Sequence, residues 1–153
     1  MRKFIRLFLF LYFSYIDAAF ASGCIVNTNS GLNFGEYNVI DSSPKDSESQ
    51  IILTCDTFAS PVITVEIGPS STSNSINTRQ MHHNLSSSQL DYNLFVDSAR
   101  NQVWGDLTSG IPLVLTNIND NVSRQISVYG RIPSGQNPAA GQYSDSVTVT
   151  VLP

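Results

Sequence analysis

The run QYSDSVTVTVLP, from Gln142 to Pro153, decides how this chain is read. Tyr143, Asp145, Val147, Val149 and Val151 share one parity, and Ser144, Ser146, Thr148 and Thr150 share the other. Side chains alternate faces along a strand, so the run is predicted to be one β-strand with an apolar face and a hydroxyl face. Since the sequence stops on this strand, no later segment is expected to cover it. At a sheet edge its free N–H and C=O groups would be a template for a strand from another chain. Partner-strand capture is therefore the first functional expectation.

Working back from that strand, the chain alternates strands and turns. Leu32 to Tyr37 (LNFGEY) puts Phe34 on one parity and Tyr37 on the other. Ile51, Leu53 and Cys55 alternate with Ile52 and Thr54, and Ile63, Val65 and Ile67 alternate with Thr64 and Glu66 before Gly68-Pro69 ends the strand. Leu90 to Val96 and Val122 to Ile132 supply two more strands, while PSSTSNSIN (Pro69 to Asn77) and PSGQNPAAG (Pro133 to Gly141) read as loops. Beyond the first residues no segment carries a helical stripe. About seven short strands at 8–12-residue spacing predict an all-β protein, a single antiparallel β-sandwich.

The N-terminus predicts export. Arg2, Lys3 and Arg6 precede and enter the apolar run LFLFLYF, and Ala19-Phe20-Ala21 forms an A-x-A cleavage pattern. Residues 1–21 are read as a secretory signal peptide, too short in its apolar run for a good membrane anchor, and residues 22–153 as the domain. The leader holds three of the 8 basic residues and one of the 12 acidic ones, which leaves 5 basic and 11 acidic residues, net −6. Such a balance excludes a basic nucleic-acid footprint and a polybasic membrane patch.

Cys24 and Cys55 are the 2 cysteines. In an exported chain an even pair reads as one disulfide, worth roughly 3–4 kcal/mol on the chain-entropy model for a loop of about 31 residues. Ala21-Ser22-Gly23-Cys24 also loosely fits a lipoprotein box, in which Cys24 would be acylated and Cys55 left as a free thiol.

Residue chemistry points away from catalysis. Adjacent His82 and His83 would face opposite sides of a strand, which argues against a shared metal. Asn117, Asn119 and Asn121 have part of the spacing of a calcium loop but lack its central Gly and its twelfth-position Glu, so a polar turn is expected. There is no G-x-S-x-G elbow and no phosphate-cradling glycine loop. Trp104 is the 1 tryptophan, expected in the core, with an exposed surface-contact ring as the alternative. No enzyme activity and no cofactor is expected.

Several motifs together carry a resemblance. Tyr129 to Val151 (YGRIPSGQNPAAGQYSDSVTVTV) resembles the closing signature of the spore coat protein U domain, found in subunits of archaic chaperone–usher pili. LNFGEY (Leu32 to Tyr37), LTCD (Leu53 to Asp56), RQM (Arg79 to Met81), LDYNLFVD (Leu90 to Asp97) and WGD (Trp104 to Asp106) follow in the same order as in that family. The resemblance implies an immunoglobulin-like fold lacking its final strand. A periplasmic chaperone would lend that strand, and a neighbouring pilus subunit would replace it at the outer-membrane usher. It also implies that Val147, Val149 and Val151 flank the donor-strand groove on one side, and Phe34 and Tyr37 on the other.

One departure is expected to matter. A stacking subunit needs a donor segment before its first Cys, of ten or more residues at about 3.3 Å each. Cleavage after Ala21 would leave only Ser22 and Gly23 there, which predicts an acceptor that does not self-polymerise, at the tip or in another minor position. Two other functions stay open: a coat structural protein assembled without an usher, and a sugar- or surface-binding module around Trp104.

Overall fold

A computed structural model describes residues 5–6, 23–28, 31–57 and 59–153. The leader, residues 1–21, lies outside the described residues apart from Ile5–Arg6. Among the described residues there is no helix, and eleven strands form three antiparallel sheets. In chain order they are β1 (Ile5–Arg6), β2 (Cys24–Thr28), β3 (Glu36–Tyr37), β4 (Lys45–Cys55), β5 (Val62–Ile67), β6 (Arg79–His83), β7 (Gln89–Phe95), β8 (Leu113–Thr116), β9 (Ser123–Ile132), β10 (Tyr143–Ser144) and β11 (Val149–Leu152). The large sheet runs β10-β6-β7-β9-β4-β2, the small sheet β11-β5-β8, and β1 pairs with β3.

Period-2 alternation builds the sandwich as the sequence predicts. Ile51 and Leu53 on β4, Met81 on β6, Leu90 and Leu94 on β7 and Val128 on β9 face Ile63, Val65 and Ile67 of β5, and all are buried in one core. The spine of the large sheet is β4 against β9, in register from Lys45 opposite Ile132 to Thr54 opposite Ser123. On the outer side of that pair Arg131 lies opposite Asp46 and donates Nε–H and Nη2–H to its carboxylate at 2.7 and 2.8 Å. A fork of this geometry marks the register, because a one-residue slip would part it.

Cys24 and Cys55 are register partners on β2 and β4 and are joined by a disulfide. The acylated-Cys24 alternative is thereby corrected. Ile25 opposite Thr54 faces outward, which leaves it well exposed, whereas Val26 packs on the core.

Phe34 and Tyr37 depart from simple parity. Both are buried although three positions apart, because Gly35 at φ +68° breaks the extended run after Phe34. Only Glu36–Tyr37 of the expected Leu32–Tyr37 strand is extended and paired. Phe34 seats over Gly130 of β9, where an added Cβ would press on the Leu32 and Phe34 side chains. Glycine is needed at 130 for this close approach.

The closing run is two strands rather than one. Tyr143–Ser144 pairs with His83 and His82 in the large sheet, and Val149–Leu152 pairs with Ile67 to Thr64 in the small sheet. The parity survives the crossing: Tyr143, Asp145 and Val147 are buried, while Ser144, Ser146 and Thr148 are half-buried. Trp104 is fully buried and its Nε1–H donates to the Val65 carbonyl at 3.0 Å. The surface-contact alternative for Trp104 is corrected accordingly, since a ring closed off between the sheets offers nothing to a partner.

Candidate functional site

β11 ends the small sheet, so one flank is paired and the other has no strand beside it among the described residues. The paired flank is continuous. Val149 and Val151 lie opposite Ile67 and Val65, Gly68 N–H donates to the Thr148 carbonyl at 2.9 Å, and Ser71 N–H donates to the Ser146 carbonyl at 3.0 Å. Directly opposed residues of an antiparallel pair share a face. Val149 and Val151 therefore point inward with Ile67 and Val65. The burial differs sharply: Val65 and Ile67 are 0% exposed, whereas Val149 and Val151 are only half-buried. Inward valines beside an unpaired backbone flank form an apolar edge suited to an incoming strand.

Of the residues expected to line the groove, Val147, Val149 and Val151 lie along this one run, with Val147 buried. Phe34 and Tyr37 belong to a separate segment, and β3 and β11 do not pair with each other, nor would two strands that flank one missing strand. Phe34 meets Tyr92 edge-on at 6.1 Å between centroids. Tyr37 donates its hydroxyl to the Pro133 carbonyl at 3.0 Å and accepts from Gln136 N–H at 3.1 Å. Among the described residues the backbone of β3 pairs with β1, Ile5 opposite Tyr37, and β1 lies in the stretch read above as the leader.

Two buried charged residues near the β5–β11 edge escaped the sequence reading. Arg79, fully buried, donates to the carbonyls of Ile67 (2.8 Å), Gly68 (2.8 Å) and Trp104 (2.9 Å) and to Asn93 Oδ1 (2.7 Å). Burial lowers its pKa to about 10, against the pull of Tyr92, Asp145 and Asp106, so it stays charged at neutral pH. It fastens the end of β5 to the tryptophan segment. Asp145 accepts from Tyr92 Oη at 2.7 Å, and burial with that carboxylate beside it holds the Tyr92 hydroxyl well above the usual phenol range. The available clue was Asp145 itself, a carboxylate on the apolar parity.

The remaining polar candidates resolve as structure. His83 Nδ1 accepts from Leu85 N–H at 2.9 Å, so its proton sits on Nε2 and donates to the Ala140 carbonyl at 3.1 Å; His82 is exposed on the opposite face. Asn117 and Asn121 take left-handed conformations in a polar turn. The Arg124 guanidinium occupies the inside of that turn, bound to the carbonyls of Asn117, Ile118 and Val122 and forked onto Asp120 at 2.7 and 2.8 Å. A protein cation thus takes the carbonyls a calcium ion would need. Among the described residues no group of three or more His, Cys, Asp or Glu side chains could hold a metal.

Residues 12–150 match the family described as Spore Coat Protein U domain. Protein U of Myxococcus xanthus is 31% identical over 139 residues, which cover 84% of this chain and 76% of that protein. Among solved structures, the CsuC–CsuE chaperone–tip adhesion subunit pre-assembly complex from the archaic chaperone–usher Csu pili of Acinetobacter baumannii superposes with a TM-score of 0.56 at 22% identity. That match covers 86% of this chain and 40% of the other, so the present chain spans less than half of it and the likeness is one of fold.

Proposed function

Because the chain belongs to the Spore Coat Protein U domain family, we propose that it is a non-enzymatic subunit of an archaic chaperone–usher pilus that accepts a donor strand. The observation that carries this reading is the β11 edge, where inward valines stay half-exposed beside a backbone flank that no strand pairs among the described residues, although their β5 partners are fully buried. An incoming strand would bury those side chains and complete the ladder without any cofactor or nucleotide. On this reading residues 1–21 direct export. A periplasmic chaperone supplies the first donor strand, and a neighbouring subunit replaces it at the outer-membrane usher on the way to the cell surface.

The finer placement follows from the leader. If cleavage falls after Ala21, Ser22 and Gly23 are too short to serve as a donor, and the subunit takes a tip or other minor position. The solved neighbour of like fold is described as a tip adhesion subunit, which supports the same placement. A module built on an exposed Trp104 is not favoured, because that ring is buried.

Co-expression tests the proposal. Residues 22–153 produced alone in the periplasm should aggregate or be degraded, because an apolar edge with unpaired backbone groups is left open. They should be recovered soluble when a periplasmic chaperone of this pathway is co-expressed, or when an apolar donor strand is fused after Pro153. A stable, monodisperse monomer with neither addition would overturn the strand-acceptor reading. Strand-exchanged homopolymers of the purified subunit would overturn only the tip placement.

A further inference from the structure

Asp145 breaks the apolar parity of the closing run, and a carboxylate at 3% exposure is costly unless it is well partnered. It is partnered three times. Tyr92 Oη–H donates to Oδ2 at 2.7 Å, Ser71 Oγ–H donates to Oδ1 at 2.7 Å, and Thr72 Oγ1–H donates to Oδ1 at 3.3 Å. Tyr92 belongs to β7 of the large sheet, whereas Ser71 and Thr72 lie on the segment leaving β5 of the small sheet. The carboxylate therefore bridges the two sheets at the point where the chain passes from one to the other.

The backbone changes partner at the same place. Tyr143 and Ser144 lie opposite His83 and His82, while Ser146 and Thr148 accept from Ser71 and Gly68. Had the run continued along β6 in its initial register, residue 145 would stand opposite Met81 and the valines would follow β6 in the large sheet. A thioether offers no hydrogen to a carboxylate, so that path would strand the charge in the core. The crossing path instead gives it three hydroxyl donors.

We infer that Asp145 is a positioning residue for strand capture: it fixes where the closing run leaves the large sheet, so that Val147–Val151 joins β5 with its other flank open. The inference rests on the strand-acceptor reading above. It separates from a purely structural role in one respect. Removing one member of a buried polar network destabilises by itself, since its donors and the Arg79 charge lose their partner, and a purely structural role would lower protection across the core, β4 included. Asp145→Val should instead loosen the crossing segment and impair capture, because valine is equally content along β6.

The test uses the full exported chain bound to its chaperone, as wild type, Asp145→Asn and Asp145→Val. Hydrogen exchange is followed at the Gly68 and Ser71 amides, which donate to the crossing segment, with the β4 amides as reference. Uptake of a fluorescent peptide of alternating valine and threonine is followed in parallel. Asp145→Asn keeps an acceptor oxygen and should stay within about threefold of wild type in both readouts. In Asp145→Val the two amides should lose at least about tenfold in protection and uptake should slow by at least about tenfold, while β4 is unchanged. Unchanged amides and unchanged uptake in Asp145→Val would overturn the inference. If wild type itself takes up no peptide, the acceptor reading falls first and this inference with it. Should Asp145→Val fail to fold, Tyr92→Phe removes the Oδ2 donor alone. It should shift the same two amides in the same direction, and no shift there would equally overturn the role.

Discussion

Val149→Asp should separate folding from strand capture. Val149 faces inward opposite Ile67, yet only Ile67 is fully closed off. In the uncovered chain an aspartate at 149 can turn to water across the open flank. The cost is then the loss of roughly half a valine's burial, about 1 kcal/mol from a full value of about 1.5–3 kcal/mol. Once a donor strand lies over that flank, the carboxyl is shut in with no partner and must take up a proton, and even the neutral group then costs about 2–7 kcal/mol, as any unpaired buried polar group does. Even the low end is on the order of a thirtyfold loss in affinity for the donor strand. Thr150→Asp is a poor control, since Thr150 stands directly opposite Glu66 and like charges there repel. Thr148→Asp is the better one, with its side chain on the hydroxyl face and its carbonyl alone engaged by Gly68. Chaperone pull-down and surface display are the assays. Val149→Asp should lose both, and Thr148→Asp should keep both. Equal behaviour of the two variants would refute the assignment of faces, and capture of Val149→Asp at the wild-type level would refute the edge as the docking site.

Three further outcomes are expected. Cys55→Ala should cost roughly 3–4 kcal/mol in a denaturant melt, and alkylation without reduction should leave the intact mass of the wild type unlabelled. Gly130→Ala should destabilise by about 1–3 kcal/mol through overpacking, because the new methyl would stand 2.7 Å from Phe34 Cζ; a stability at or above wild type would show that the Phe34 segment is loosely seated. Asp120 has its carboxyl lowered from 3.8 to about 2, chiefly by the Arg124 hydrogen bond and then by the Val122 N–H. Its folded pKa lies below the unfolded one, so its contribution is fully present above about pH 4 and is lost as pH falls toward 2. The stability difference between wild type and Asp120→Asn should follow that curve, and a difference independent of pH across this window would contradict it.

Parity was the legible part of this fold. The alternation at Ile51–Cys55, Ile63–Ile67 and Leu90–Val96 gave strands and their inward faces, because each has one face on the core. Parity does not say which neighbour a strand chooses, and so the closing run read as one strand when it serves two sheets. The short strands β2, β6 and β8 were not foreseen; β8 has only 4 residues, half of them exposed, and is held by its neighbour β5 rather than by its own pattern. The polar beginning of β4 at Lys45 escaped for the same reason, being carried by β9. At Leu32–Tyr37 the left-handed Gly35 shifted the phase, bringing Phe34 and Tyr37 inward together. The shared face of Val147, Val149 and Val151 could be read from sequence because they repeat every second residue. Arg79 could not, since the carbonyls it holds come from Ile67, Gly68 and Trp104, which meet only in the folded chain.

The position of the disulfide sets how this protein would bear a pulling force. Cys24 begins β2, the outermost strand of the large sheet, and is bonded to Cys55 at the end of β4. Without that bond, a pull applied experimentally at residue 22 would open the hydrogen bonds of β2 one after another, the easiest way to undo a strand. With it, the load bypasses β2 and enters β4 at Cys55, at the end of its long ladder with β9. The oxidised and reduced chains would therefore differ in rupture force, with the reduced chain giving way from its edge inward.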